Sequence, residues 1–105
     1  MDMASFHQRA GETLAHIERA VEDSGVDIDF ENAGDILTLE FVDGSKIIIN
    51  KQEPAGQIWV AARAGGFHYG YDPRGERWVN DHSGVELFTE LSHLVSQQAG
   101  MPVDL

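Results

Sequence analysis

The chain has 105 residues, enough for one domain with one core, and its 18 Asp and Glu against 7 Lys and Arg leave a formal net charge of −11. At 42% hydrophobic it is too apolar for a disordered acidic tail. No apolar run nears the ~20 residues of a membrane span, and the acid excess repels phosphate backbones, so neither membrane nor nucleic acid is an expected partner.

Cysteine is absent. Disulfides, thiolate nucleophiles and thiolate-held zinc or iron–sulfur clusters are therefore excluded, and any metal falls to oxygen or imidazole ligands. The N-terminus shows neither a secretory nor a transit pattern, which fits a reducing, cytoplasmic location.

In chain order, Phe6, Ala10, Leu14, Ile17 and Val21 recur at spacings of three and four, predicting an amphipathic helix over Ser5–Asp23. Ser5 with Gln8 reads as its capping box and Ser24-Gly25 as its stop. The period then drops to two. Val26, Ile28 and Phe30 interleave with Asp27, Asp29 and Glu31, a strand wet on one face. Leu37, Leu39 and Phe41 form the next, and Asp43-Gly44 is a hairpin turn into Lys46–Asn50. Further strands are expected over Gln57–Ala62, over Phe67–Tyr69 after a turn at Gly65-Gly66, and over Arg77–Asn80 after the Asp72–Gly75 loop. Ser83 and Glu86 read as a second capping box, before a helix with Leu87, Phe88, Leu91, Leu94 and Val95 on one face that ends near Gly100 and Pro102. The predicted architecture is a single α+β domain over residues 1–105: a two-layer sandwich whose terminal helices cover one face of a roughly six-stranded antiparallel sheet.

The charge is concentrated. Eleven of the 18 acids lie in residues 1–45, beside only two bases. Glu18, Glu22 and Asp23 end the helix, and Asp27, Asp29 and Glu31 share one face of the following strand, so all six carboxylates are expected on one edge. Steps of two residues are about 6.8 Å, an open row rather than a cage, with neighbouring charges repelling by roughly 0.6 kcal/mol in water. Oxygen-only donors in such a row suit hard cations (iron, manganese, calcium or magnesium), bound weakly. A solvated face, or a surface for a basic protein, accounts for the same pattern.

Gln57, Trp59 and Ala61 alternate with Ile58 and Val60. If the latter pair faces the core, Trp59 stands on the wet face, where an aromatic marks an interface; in the inverted register it is a core residue. His68 joins that face if Phe67 and Tyr69 point inward. The histidines make no helical zinc pair, Glu12 and His16 reading instead as a surface ion pair. No phosphate loop, nucleophile elbow or triad spacing is present, which points to a binding or regulatory protein and not an enzyme.

Asn50-Lys51-Gln52-Glu53-Pro54 followed by Gln57-Ile58-Trp59 resembles the frataxin family, and the longer stretch from Gly44 to Pro54 resembles its bacterial CyaY type. Gly65–Tyr69, Trp78 and Gln97–Gly100 fit the same branch, so the likeness spans nearly the whole chain. It implies two helices on an antiparallel sheet and weak, reversible binding of Fe2+ and Fe3+ at Glu18, Glu22, Asp23, Asp27, Asp29 and Glu31, with no cluster held by the chain itself. It also implies a part in iron–sulfur cluster assembly, chiefly as an iron-dependent regulator of the cysteine desulfurase, with iron donation or storage as further proposals. The implied partners are that desulfurase and the iron–sulfur scaffold protein, met by Asn50, Gln57, Trp59 and His68. A monomer is implied, with metal-dependent oligomers as a further state.

This chain departs from the family pattern at Ser24-Gly25-Val26, which interrupts the acidic run and implies a lower metal stoichiometry, and in its longer Asp72–Gly75 loop. The alternative reading is a generic acidic interaction module with incidental divalent-cation binding. An iron-oxidising enzyme of ferritin type needs buried Glu-x-x-His ligands that are missing here.

Overall fold

The computed structural model describes all 105 residues. Its elements are α1 (Met3–Asp23), β1 (Ile28–Ala33), β2 (Ile36–Phe41), β3 (Lys46–Gln52), a 3-10 turn at Glu53–Ala55, β4 (Gln57–Ala62), β5 (Gly65–Asp72), β6 (Arg77–Asn80) and α2 (Leu87–Ala99). Each strand pairs antiparallel with the next, giving one six-stranded sheet in sequence order. Short turns leave each strand no other neighbour, so the meander follows from connectivity.

The five spaced apolar residues of α1 are all buried, as are Leu87, Leu91, Leu94 and Val95 of α2. They meet the inward residues of the sheet, Leu37, Leu39, Phe41, Ile47, Ile49, Ile58, Val60, Tyr69 and Trp78, in one core of 20 buried residues. Both helices thus cover the same sheet face and leave the other to water.

Both helix starts differ from the sequence reading. α1 begins two residues before Ser5, because the extended Asp2 lends its Oδ1 to the Ser5 amide at 2.8 Å; Ser5 is capped rather than capping. In α2 the cap is Glu86 itself, whose oxygens accept from the Phe88 amide at 2.7 Å and the Thr89 amide at 3.1 Å. Ser83 Oγ serves the preceding loop, accepting from the Val85 amide at 3.2 Å. The β4–β5 turn lies at Arg63-Ala64, and the two glycines open β5. In β1 only Ile28 is buried; Phe30, expected inside, is 38% exposed because the helix layer does not extend past Ile28 along this edge strand.

Polar side chains tie the layers together where apolar contact ends. Buried Gln98 donates to Ser45 Oγ at 3.0 Å and to the Lys46 carbonyl at 3.1 Å, and accepts from the Arg63 amide at 3.0 Å, joining α2 to two hairpin ends. Glu90 Oε1 accepts from Tyr69 Oη at 2.6 Å and Asn80 Nδ2 at 2.7 Å. The Asp72–Gly75 loop closes through the Arg74 amide, which donates to Asp72 Oδ1 at 3.0 Å.

Burial, followed by the hydrogen bond to Glu90, pushes the Tyr69 phenol well above its ordinary value. Its contribution is therefore complete below the unfolded-state value near ~10 and declines as pH rises toward the folded value. Tyr69→Phe is expected to lower stability by about 1.5–3 kcal/mol at neutral pH. In urea titrations the gap to wild type should hold steady up to about pH 9 and narrow between about pH 10 and about pH 12; a gap constant across that upper range would contradict this role.

Candidate functional site

The acid edge forms where α1 hands over to β1. Glu18 and Glu22, one helical turn apart, project near the helix end, Glu18 half-buried and Glu22 exposed with Asp23. Asp27 stands exposed in the connection, and Asp29 and Glu31 are exposed on the outer face of β1, opposite in sense to buried Ile28. All six predicted carboxylates lie on these adjoining segments.

The structure adds a seventh. Glu40 of β2 is the direct cross-strand partner of Asp29, and like charges so placed repel. Lys46 of β3, opposite Glu40 in turn, offsets part of that charge at 3.8 Å. The tight Gly34-Asp35 turn, which pairs Ala33 with Ile36, sets this register and is the signal in the sequence that would have placed Glu40 beside Asp29.

No three His, Asp or Glu side chains converge into a cage able to hold a metal ion. The edge instead offers separate carboxylates facing water. Such donors can take a hard cation through one or two oxygens while the ion keeps most of its hydration, which is weak and geometrically permissive binding.

The second group lies on the outer sheet face. Ile58 and Val60 are buried at 0% and 2% exposure, so Trp59 points away from the core. Asn50, Trp59 and His68 are successive cross-strand partners on β3, β4 and β5, forming one row across the sheet. His68 stacks on the indole with ring centroids 4.3 Å apart and planes 17° from parallel. Trp59 Nε1 donates to Gln57 Oε1 at 2.8 Å. The four residues singled out in the sequence therefore form one surface.

His16 does not pair with Glu12; its ring packs against Phe88 of α2 at 4.7 Å between centroids. His7, without an assigned role in the sequence, meets Glu53 Oε2 at 2.9 Å and ties the start of α1 to the β3–β4 connection. Trp78, by contrast with Trp59, is buried at 3% exposure and donates to Thr13 Oγ1 at 2.9 Å.

Residues 1–101 match the family model described as Frataxin-like domain. The chain belongs to the frataxin family, of the bacterial CyaY type. It is 48% identical over 103 residues to the iron-sulfur cluster assembly protein CyaY of Paraburkholderia xenovorans, covering 98% of this chain and 96% of the relative. Against the protein of the same description from Vibrio cholerae it is 43% identical over 104 residues, covering 99% and 98%. Among solved structures, frataxin from Psychromonas ingrahamii superposes with a TM-score of 0.91 at 39% identity, covering 99% of this chain and 97% of that one. Trimeric frataxin from the yeast Saccharomyces cerevisiae, complexed with ferrous, superposes at 0.73 with 25% identity, covering 88% and 86%. No helix of this family member is long and apolar enough to cross a membrane.

The two tryptophans should separate cleanly on truncation. Trp78→Ala opens a cavity in the core and should cost about 3–5 kcal/mol, whereas Trp59→Ala loses one half-exposed hydrogen bond and a stack and should cost about 1 kcal/mol. Chemical denaturation of both variants measures this, and equal losses would return Trp59 to the core.

Proposed function

We propose that this frataxin acts in the cytoplasm as an iron-binding regulator and adaptor of iron–sulfur cluster assembly, without catalysing a reaction itself. In this reading Glu18, Glu22, Asp23, Asp27, Asp29 and Glu31, with Glu40 beside them, bind Fe2+ or Fe3+ weakly and reversibly. The same edge meets a basic surface of the cysteine desulfurase, while Asn50, Gln57, Trp59 and His68 contact the scaffold protein. The observation that carries the reading is the open row of exposed carboxylates at the α1–β1 edge of a chain whose relatives are cluster assembly proteins. The ferrous complex of the yeast frataxin supports iron as the cation. An open row suits a regulator better than a store, because an ion held by few protein oxygens leaves readily.

Charge density also favours mutual exclusion. Iron on the edge neutralises the carboxylates that would attract a basic partner, so the two compete, and partner binding reports iron availability. The lack of a caged site favours a second reading, in which the edge serves only as a polyanionic surface and cation binding is incidental.

Cation binding to the folded state alone raises stability by mass action. Under anaerobic conditions, Fe2+ at about 100 times its dissociation constant should add about 2.7 kcal/mol beyond matched monovalent salt. Amide resonances between residues 18 and 31, and at Glu40, should move with it. No extra stabilisation and no such shifts would leave the polyanion reading standing.

The partner half is checked by affinity capture from cell extract. A chain with all six predicted carboxylates changed to the corresponding amides should lose the desulfurase, and Trp59→Ala should lose the scaffold protein while keeping its fold. Retention of both partners by both variants would refute the proposed surfaces.

A further inference from the structure

Asp81, just beyond β6, touches the Trp59 surface from two sides at once. Its amide donates to the His68 carbonyl at 2.9 Å, continuing the β5–β6 pairing one step past the strand and seating the residue beside His68. Its Oδ2 accepts from Gln57 Nε2 at 3.1 Å and lies 3.8 Å from His68 Nδ1. Gln57 and His68 are the two groups that flank the indole, one along the strand through the Nε1–H hydrogen bond and the other across it through the stack. One carboxylate oxygen therefore bears on both.

Donor chemistry makes the arrangement directional. An indole N–H can only donate, so Gln57 must offer it the amide oxygen, which turns the Gln57 NH2 the other way. That NH2 then needs an acceptor, and a carboxylate, which can only accept, is the strongest one available. Reversing the Gln57 amide would set donor against donor at the indole and oxygen against carboxylate at Asp81.

We propose that Asp81 is a positioning residue: acting through Gln57 and His68, it holds the Trp59 indole in one orientation before a partner arrives. The inference rests on the reading of Trp59 as a partner anchor. A half-exposed tryptophan that is already ordered loses little rotamer freedom on binding, so preorganisation appears as affinity. The arrangement also defines what the anchor offers. The only polar donor of the indole is committed within the chain, and what remains for a partner is apolar ring surface.

The test uses the full-length protein labelled with 15N, its two indole Nε1–H resonances, and titration with the iron–sulfur scaffold protein. Trp78, whose N–H is held by Thr13 in the core, is the internal control. Asp81→Ala should shift the Trp59 indole resonance and speed its exchange with water while leaving the Trp78 resonance and the melting temperature in place. Scaffold affinity should fall about 3- to 10-fold, the size expected when one large side chain must be ordered on binding. Asp81→Asn keeps an oxygen for Gln57 and should restore both the resonance and the affinity. An unmoved Trp59 indole in Asp81→Ala overturns the proposal, as does a loosened indole with unchanged affinity. Undiminished affinity in Trp59→Ala would instead fail the anchor reading, and the indole resonance would then still decide whether Asp81 orients the ring.

Discussion

A sheet of six antiparallel strands has two faces, and two helices are enough to cover one. That asymmetry governs the rest of this molecule. Alternation along each strand sends Leu37, Leu39, Ile47, Ile49, Ile58 and Val60 toward α1 and α2, and their burial supplies the main driving force for folding. The same alternation leaves Asn50, Trp59 and His68 facing water as a cross-strand row. Core and candidate interface are thus two sides of one constraint, and a one-residue slip in register would exchange them.

The helix layer also ends before the sheet does. β1 is the edge strand beside the end of α1, and beyond Ile28 it has no cover on either face. A wet edge is where carboxylates can stand without desolvation cost, and it is where this chain concentrates them. Exposed charges also blunt the open hydrogen-bonding edge of β1 against pairing with another chain. The acid edge therefore has a structural use as well as the cation- and partner-binding role proposed for it, and the two are compatible because both need the carboxylates exposed.

The two candidate surfaces differ in rigidity. Along the acid edge the side chains are separate, with no converging ligand set. Around Trp59 the side chains are mutually held, by the Gln57 hydrogen bond and the His68 stack. A loose edge suits a mobile cation or a long-range electrostatic encounter, whereas an ordered aromatic suits a specific contact. One small domain can in this way combine attraction and recognition on separate patches.

Much of this was legible in the sequence, because periodicity is a local property. The spacing of Phe6, Ala10, Leu14, Ile17 and Val21 is enough to define the buried stripe of α1, and alternation with short turns is enough to define a meander. The accumulation of acids before residue 45 likewise fixes which edge is charged. What one segment cannot encode is who stands beside whom. Asp2 and Glu86 displaced the serines as caps because each is the extended residue from which its helix starts, with a carboxylate in reach of the first free amides. Phe30 lay outside because the extent of the helix layer is decided by packing. Glu40 joined Asp29 through strand register, and Asp81 reached Gln57 across an intervening strand. The sequence by itself determined the elements, their buried faces and the charged edge. Tertiary structure alone decided the neighbours, since contacts across strands depend on register and layer edges set by the whole chain at once.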